Sequence, residues 1–404
     1  MIDVLRETYR RLLANISVRN HRFLFSGFDM KERLVGLVGA RGVGKTTLLL
    51  QYIHERMAHP EDAFYASADH IYFNKVSLLE FVREVFTQEG TRYFIFDEIH
   101  KYPRWEQELK NIYDSYPSVH VAFSGSSSLA LTKGGYDLSR RVALHRLPGL
   151  SFREYLNFST GAEHPAISLG ALLQDPGGIS EELAHVPRLA GHFRRYLAEG
   201  FYPYVFEGGG HYYEKIRAGV DKTIFEDVAT HYRLKTENLH HFKKILCFLS
   251  TIPPGEMNVH KLGASLAVDD KTAAHYLLIL QETGLIRMLD PGGRGHALIR
   301  KQRKAHLDNT TLLHAICHGL GQAVEPAAAR ELFFMQATEN AGHAVFSSEQ
   351  GGDFKIGDNI FEVGGRNKRR AQLPKTKRSE YVVKDDILIG SKRTVPLYLF
   401  GFLY

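Results

Sequence analysis

Short apolar runs and longer amphipathic stretches alternate through the first 155 residues. Residues 34–38 form an apolar run of strand length, and residues 93–96, 119–123 and 142–145 form three more. Between them Leu48, Leu49, Leu50 and Ile53 open an amphipathic helix. Strands alternating with helical segments from about Lys31 to Tyr155 predict a parallel sheet covered by helices. Upstream, in a stretch reaching about Phe28, Leu5, Tyr9, Leu12, Leu13 and Ile16 fall on one face of a predicted helix. From 156 to 238 the pattern turns helical and irregular, broken at Gly177-Gly178 and at 208–210, with a long amphipathic helix over 212–232. From 239 to 304 it reads as three helices and two strands. The helices begin near Phe242, Val259 and Asp269, and the strands are 285–289 and 296–299 around Gly292-Gly293. Residues 305–404 form a last α/β stretch, with a helix over 327–336 and strands near 344–346, 354–356 and 360–363.

The junction after the first strand carries chemistry. Gly39-Ala40-Arg41-Gly42-Val43-Gly44-Lys45-Thr46-Thr47 satisfies G-x-x-x-x-G-K-[ST] between a strand and a helix. In that setting successive backbone N–H groups converge on a phosphate at a helix N-terminus. Gly42 and Gly44 permit positive φ and close backbone approach. Lys45 can reach β- and γ-phosphates, and the Thr46 hydroxyl can ligate Mg²⁺. The second strand ends in Asp97-Glu98. Asp97 can hold Mg²⁺ through water, and Glu98 can deprotonate the water that attacks the γ-phosphate. The third strand runs into Ser124-Gly125-Ser126-Ser127-Ser128, where Ser126 is placed either to sense the γ-phosphate or to cap the next helix. Arg140 and Arg141 precede the fourth strand. Arg141 reads either as a finger on a neighbouring subunit's nucleotide, which requires a homo-oligomer, or as part of a solvated basic edge.

Length excludes a single core: 404 residues predict two to four domains, drawn at 1–155, at 156–238 as a small helical lid over the nucleotide, at 239–304 and at 305–404. Hydrophobic content of 44% and charged content of 24% suit a globular chain. No apolar run is long enough to span a bilayer, and the N-terminus lacks a signal-peptide core, so a cytoplasmic location without a membrane is expected. Cys247 and Cys317 both fall in apolar helical patterns, as small core residues in a reducing compartment would. Net charge is +6 but uneven. Arg366, Lys368, Arg369, Arg370, Lys375, Lys377 and Arg378 crowd one stretch, as a polyanion site or a solvated face. The spacing over 239–304 resembles a winged helix, whose third helix would offer Lys271, Thr272, His275 and Tyr276 to DNA, or serve a protein partner.

Together these residues resemble a prokaryotic family of AAA-type ATPases that join a P-loop domain to a winged helix and a restriction-endonuclease-like domain. The resemblance rests on residues 39–47, Phe-Asp-Glu-Ile-His-Lys-Tyr-Pro-Arg-Trp at 96–105, residues 124–128, Leu-Ser-Phe-Arg-Glu-Tyr-Leu at 150–156 and His-Leu-Asp-Asn-Thr-Thr-Leu-Leu at 306–313. It implies ATP and Mg²⁺ as cofactors, with Lys45, Thr46, Asp97 and Glu98 carrying the chemistry. In the last domain it implies a nuclease pattern of an acidic residue followed by Asp/Glu-x-Lys. Asp353 and Glu362 fit the carboxylates, Gly364 stands where the lysine belongs, and either Lys368 or Gln372 on the following segment is placed to reach back. The expectation is an ATP-driven switch associated with DNA. An ATP-regulated nuclease and a signalling ATPase with protein partners only are its rivals.

Overall fold

In the computed structural model, residues 2–125, 138, 140–232, 234–253, 255, 257–292, 303–348, 351–369 and 380–404 are described. The chain divides into two compact units, Met1–Gly149 and Leu150–Tyr404.

The first unit is a five-stranded sheet of β1 (Leu34–Val38), β2 (Ala63–Ser67), β3 (Tyr93–Asp97), β4 (His120–Gly125) and β5 (Ala143–Arg146), in the order β2-β3-β4-β1-β5. All four pairings are parallel. The helices are α1 (Ile2–Ala14), α2 (Lys45–Arg56), α3 (Leu78–Glu89) and α4 (Trp105–Ser115). Ser77 and Glu80 close a capping box at the start of α3, and Gly90 ends it at φ 73°. Every residue of β1 is buried, as expected of a central strand covered on both faces. The core centres on Phe81, whose ring meets Phe64, Phe73, Phe94 and Phe96 edge-on with centroids 5.1–6.2 Å away. On α1 only Leu5 and Tyr9 are buried. Leu12, expected on the inner face, is 38% exposed because the helix leaves the sheet after its second turn.

The second unit begins with α5 (Phe152–Thr160), α6 (Leu169–Gln174), α7 (Pro176–Leu183) and α8 (Leu189–Glu199). The long helix expected over 212–232 is interrupted: α9 (Tyr212–Lys222) passes through a π-helical turn, Thr223–Val228, into α10 (Ala229–Tyr232). Next come α11 (Thr236–Thr251), α12 (Val259–Leu266) and α13 (Asp270–Glu282), then β6 (Ile286–Leu289) and β7 (Lys304–Leu307) paired antiparallel. The expected strand at 296–299 lies outside the described residues, and the partner of β6 is the later stretch Lys304–Leu307. The chain continues with α14 (Thr310–Gly319), α15 (Pro326–Asn340), β8 (Phe346–Ser347), β9 (Phe354–Ile356), β10 (Asn359–Gly364), β11 (Glu380–Lys384) and β12 (Thr394–Pro396). Strands β8 to β12 form a mixed sheet in chain order, antiparallel from β8 to β10 and parallel from β10 to β12.

The helices expected to form a separate lid share a core with the last domain. Phe193 meets Phe333 at 4.9 Å, and Phe152 meets Phe402 at 5.7 Å. A buried ion-pair network ties the expected winged-helix segment to the same last domain: Arg287 on β6 pairs with Asp308 at 3.0 Å and Glu339 of α15 at 2.7 Å. Breaking such a pair from one side would leave a charge buried and uncompensated.

Candidate functional site at the strand ends

Strand β1 delivers the glycine loop to the carboxyl edge of the sheet, and β3 and β4 end beside it. Gly42 and Gly44 adopt φ of 79° and 93°, the region a side chain resists. A Cβ on Gly39 would sit 2.2 Å from the Leu147 carbonyl oxygen, so only glycine fits there. Lys45 begins α2, is 5% exposed, and donates to the carbonyls of Gly39 and Ala40 at 2.9 Å each. Thr47 is exposed.

Three hydroxyls converge on the buried Asp97 carboxylate. Thr46 donates to Oδ2 at 2.5 Å, Tyr65 donates to the same oxygen at 2.8 Å, and Ser124 donates to Oδ1. Burial, with Asp97 alongside, pushes the Tyr65 phenol far above its usual range, so it stays a donor. Glu98 takes a left-handed φ of 51°, and its amide donates to Asp97 at 3.1 Å and to Ser124 Oγ at 3.2 Å. Its carboxylate lies 3.5 Å from Arg41 and 3.6 Å from His100. A non-glycine residue held in this conformation costs of order 1 kcal/mol and persists where surrounding structure fixes it.

Ser126 lies outside the described residues. The serine on Asp97 is Ser124, because β4 runs to Gly125 and not merely to Phe123. Arg141 precedes β5 and therefore sits at the amino-terminal edge of the parallel sheet, opposite the glycine loop. There it pairs with Asp114 at 3.5 Å.

Residues 31–156 match the family described as AAA domain. The first unit carries a P-loop domain of the AAA type. A second match, residues 190–323, is to a domain of unknown function that takes in α8 through α14. An uncharacterized protein of Methanocaldococcus jannaschii is 28% identical over 309 residues, which cover 73% of this chain and 64% of that protein. The chain thus spans less than two thirds of that relative. Among solved structures, AMPPCP-bound DnaA from Aquifex aeolicus gives 15% identity and a TM-score of 0.27, covering 69% of this chain and 87% of that one. C. elegans PCH-2 gives 14% and 0.25, covering 46% and 48%. Scores this low carry no argument.

Outside the AAA domain, the second unit gathers another set of charges. Glu362 on β10 is 1% exposed and pairs with Lys368. Asp353 accepts from the Val363 amide at 2.8 Å. Glu331 on α15, which the sequence reading missed, lies near enough to feel both carboxylates. Burial, then Asp353, pushes its carboxyl up to about 7. A Cβ on Gly364 would meet the Lys368 stem at 2.6–2.9 Å. The glycine in the lysine's expected place therefore makes room for the lysine that reaches back. Among the described residues no group of three or more His, Cys, Asp or Glu is arranged to hold a metal ion.

The proposed DNA contacts fare unevenly. Lys271 and His275 are exposed on α13, while the Thr272 hydroxyl donates at 2.6 Å to Asp269, the residue that caps that helix. Tyr276 is 3% exposed and packed 4.9 Å from Phe242, so it is a core residue and is not presented to DNA. Asp269 and Asp270 at the helix start would repel phosphate. Arg369 is exposed, and Arg370 lies outside the described residues. No helix among the described residues is long and apolar enough to cross a membrane.

Proposed function

We propose that this chain is a Mg²⁺-dependent ATPase that works as a switch, its first unit hydrolysing ATP and its second unit engaging DNA. The observation that carries the ATPase reading is the convergence of Thr46, Ser124 and Tyr65 on Asp97, beside a glutamate whose own amide is anchored in the same network. A hydroxyl and a carboxylate meeting at 2.5 Å are hard oxygen donors that fit magnesium. Thr46 and Asp97 would hold the ion, which neutralises charge on the β- and γ-phosphates. Lys45 exchanges its loop carbonyls for phosphate oxygens, and the loop amides take the remaining oxygens. Glu98, released from Arg41 and His100, accepts a proton from the attacking water. The water oxygen bonds to the γ-phosphorus as the bond to the ADP oxygen breaks.

DNA association is supported by exposed Lys271, Arg366 and Arg369 on the second unit. A second reading, metal-dependent phosphodiester cleavage by the second unit, is favoured by one observation: Glu362 pairs with Lys368 within electrostatic reach of Asp353 and Glu331, although these carboxylates are not arranged to hold a metal ion as they stand. It requires Lys368 to yield Glu362 to a cation, and it predicts cleavage that Glu362→Ala abolishes. The deciding experiment is phosphate release with Mg²⁺–ATP, with and without double-stranded DNA, for wild type and Glu98→Gln. Hydrolysis stimulated by DNA and lost in the variant supports the switch. Hydrolysis indifferent to DNA moves the second unit to a protein partner, and absence of hydrolysis sinks the ATPase reading.

A further inference from the structure

A buried cation stands behind the phosphate loop, outside the loop's nine-residue motif. Arg22 is 6% exposed and lies in the segment between α1 and β1. Its Nη1 donates to the Val43 carbonyl inside the loop. Its Nη2 donates to the carbonyls of Pro148 at 2.7 Å and Gly149 at 3.0 Å. The segment that brings it there is itself hung from the helix following the loop. Gln51 of α2, 2% exposed, donates to the carbonyls of Ser17 at 2.7 Å and Asn20 at 3.0 Å.

The consequence follows from the planar peptide. In the trans unit joining Val43 to Gly44, the carbonyl and the N–H point in opposite directions. Pinning the Val43 oxygen on a guanidinium behind the loop therefore turns the Gly44 N–H to the loop's front. Gly44 is the residue at φ 93° that caps α2, so this amide belongs to the set that faces an anion at the helix N-terminus. Free rotation of a glycine peptide would otherwise be lost on binding, at a cost to affinity. Neither lysine nor glutamine can make three carbonyl contacts from one planar fork.

We infer that Arg22 is a positioning residue for the phosphate site, presetting the Val43–Gly44 peptide so that its N–H meets the nucleotide's phosphates. The inference rests on the nucleotide reading above. Because the same fork also grips Pro148 and Gly149, the last residues of the first unit, the loop and the chain leading to Leu150 are fixed together.

The test compares wild type, Arg22→Lys and Arg22→Ala for binding of a fluorescent ADP analogue and a fluorescent ATP analogue. Hydrogen exchange of the loop amides in the nucleotide-free protein is read in parallel, with thermal melting to establish folding. The expected result is an affinity loss of ~10-fold or more in both variants, matching a charge-assisted hydrogen bond. The 39–46 amides should also exchange faster, and millimolar guanidinium should restore part of the affinity of Arg22→Ala. Folded variants that bind as tightly as wild type overturn the role, as does weakened binding with loop exchange unchanged and no rescue. If Arg22→Ala does not fold, Arg22→Lys alone decides on the same criteria. Absence of binding by wild type overturns the nucleotide reading itself. Unaltered exchange in the variants overturns Arg22's hold on the loop whether or not nucleotide binds.

Discussion

Two buried carboxylates on sheet strands, one in each unit, have been given opposite surroundings. Asp97 ends β3 under three hydroxyl donors, which satisfy its oxygens without supplying a counter-charge. Glu362 lies within β10 with Asp353 and Glu331 as repelling neighbours, and its counter-charge is Lys368. Burial raises the Glu362 carboxyl, and Lys368 only partly offsets this. Neutral donors leave a carboxylate able to share its oxygens with an incoming cation, whereas an ammonium must first be displaced. On the proposed reading, the first site can take up a cation without first losing a counter-charge. The second opens only at the expense of an ion pair.

The largest effect that tests this contrast is at Glu98. Glu98→Gln should lower phosphate release ~10²–10⁴-fold while nucleotide affinity holds, as measured by steady-state turnover and equilibrium binding. A variant that keeps its turnover would remove the base from the first site. Asp97→Asn should follow, with turnover down ~10²-fold and partly recovered as Mg²⁺ is raised. Glu362→Gln should leave turnover within about twofold, and an equal loss in both variants would erase the distinction between the sites.

The third effect concerns pH. The Glu331 carboxyl titrates at about 7 in the fold against an ordinary 4.5, raised by burial, then by Asp353 and Glu362, with Lys304 and Lys368 opposing. The folded chain therefore holds an extra proton between these values. The stability this contributes is full below about pH 4.5 and is lost as pH rises towards 7. Glu331→Gln should unfold at higher denaturant than wild type at pH 8, by ~1–2 kcal/mol, and match it at pH 5. Higher wild-type stability at pH 8 would reverse the sign and remove Glu331 from the cluster. A smaller effect in the first site is expected at Tyr65. Tyr65→Phe keeps the ring and removes one of three donors, so the Mg²⁺ concentration for half-maximal turnover should rise about two- to fivefold with little change in maximal rate.

What the sequence disclosed followed from how local each signal is. The glycine loop between a strand and a helix, and the strand ending in Asp97-Glu98, are written in contiguous residues, and these appear in the fold as read. Ser124, Tyr65 and Glu331 are separated from their partners by tens of residues along the chain. Tyr65 carries no signal of its own until β2 is known to lie beside β3. Tyr276 carried a usable signal that the functional reading overrode. With Ala273, Leu277 and Leu280 it falls on the inner face of α13, and helical spacing alone assigns it to the core. Lys368 was legible as a lysine able to reach back. That Gly364 clears its path is a steric fact only the folded chain reveals.

The strand order also sets a timetable for synthesis. β1 emerges first of the sheet strands, yet its two neighbours are β4 and β5, the last strands of the unit to be made. β2 and β3 can pair as soon as Asp97 has left the ribosome, while β1 waits for His120 and then for Ala143. Pairings so distant in sequence close slowly, and the strand that carries the phosphate loop is exposed while it waits. A nascent chain halted before Ala143 would have β1 as an open edge, although the glycine loop, Asp97 and Ser124 would already have been made. The last strand thus covers the open side of a strand whose loop and facing carboxylate are already complete.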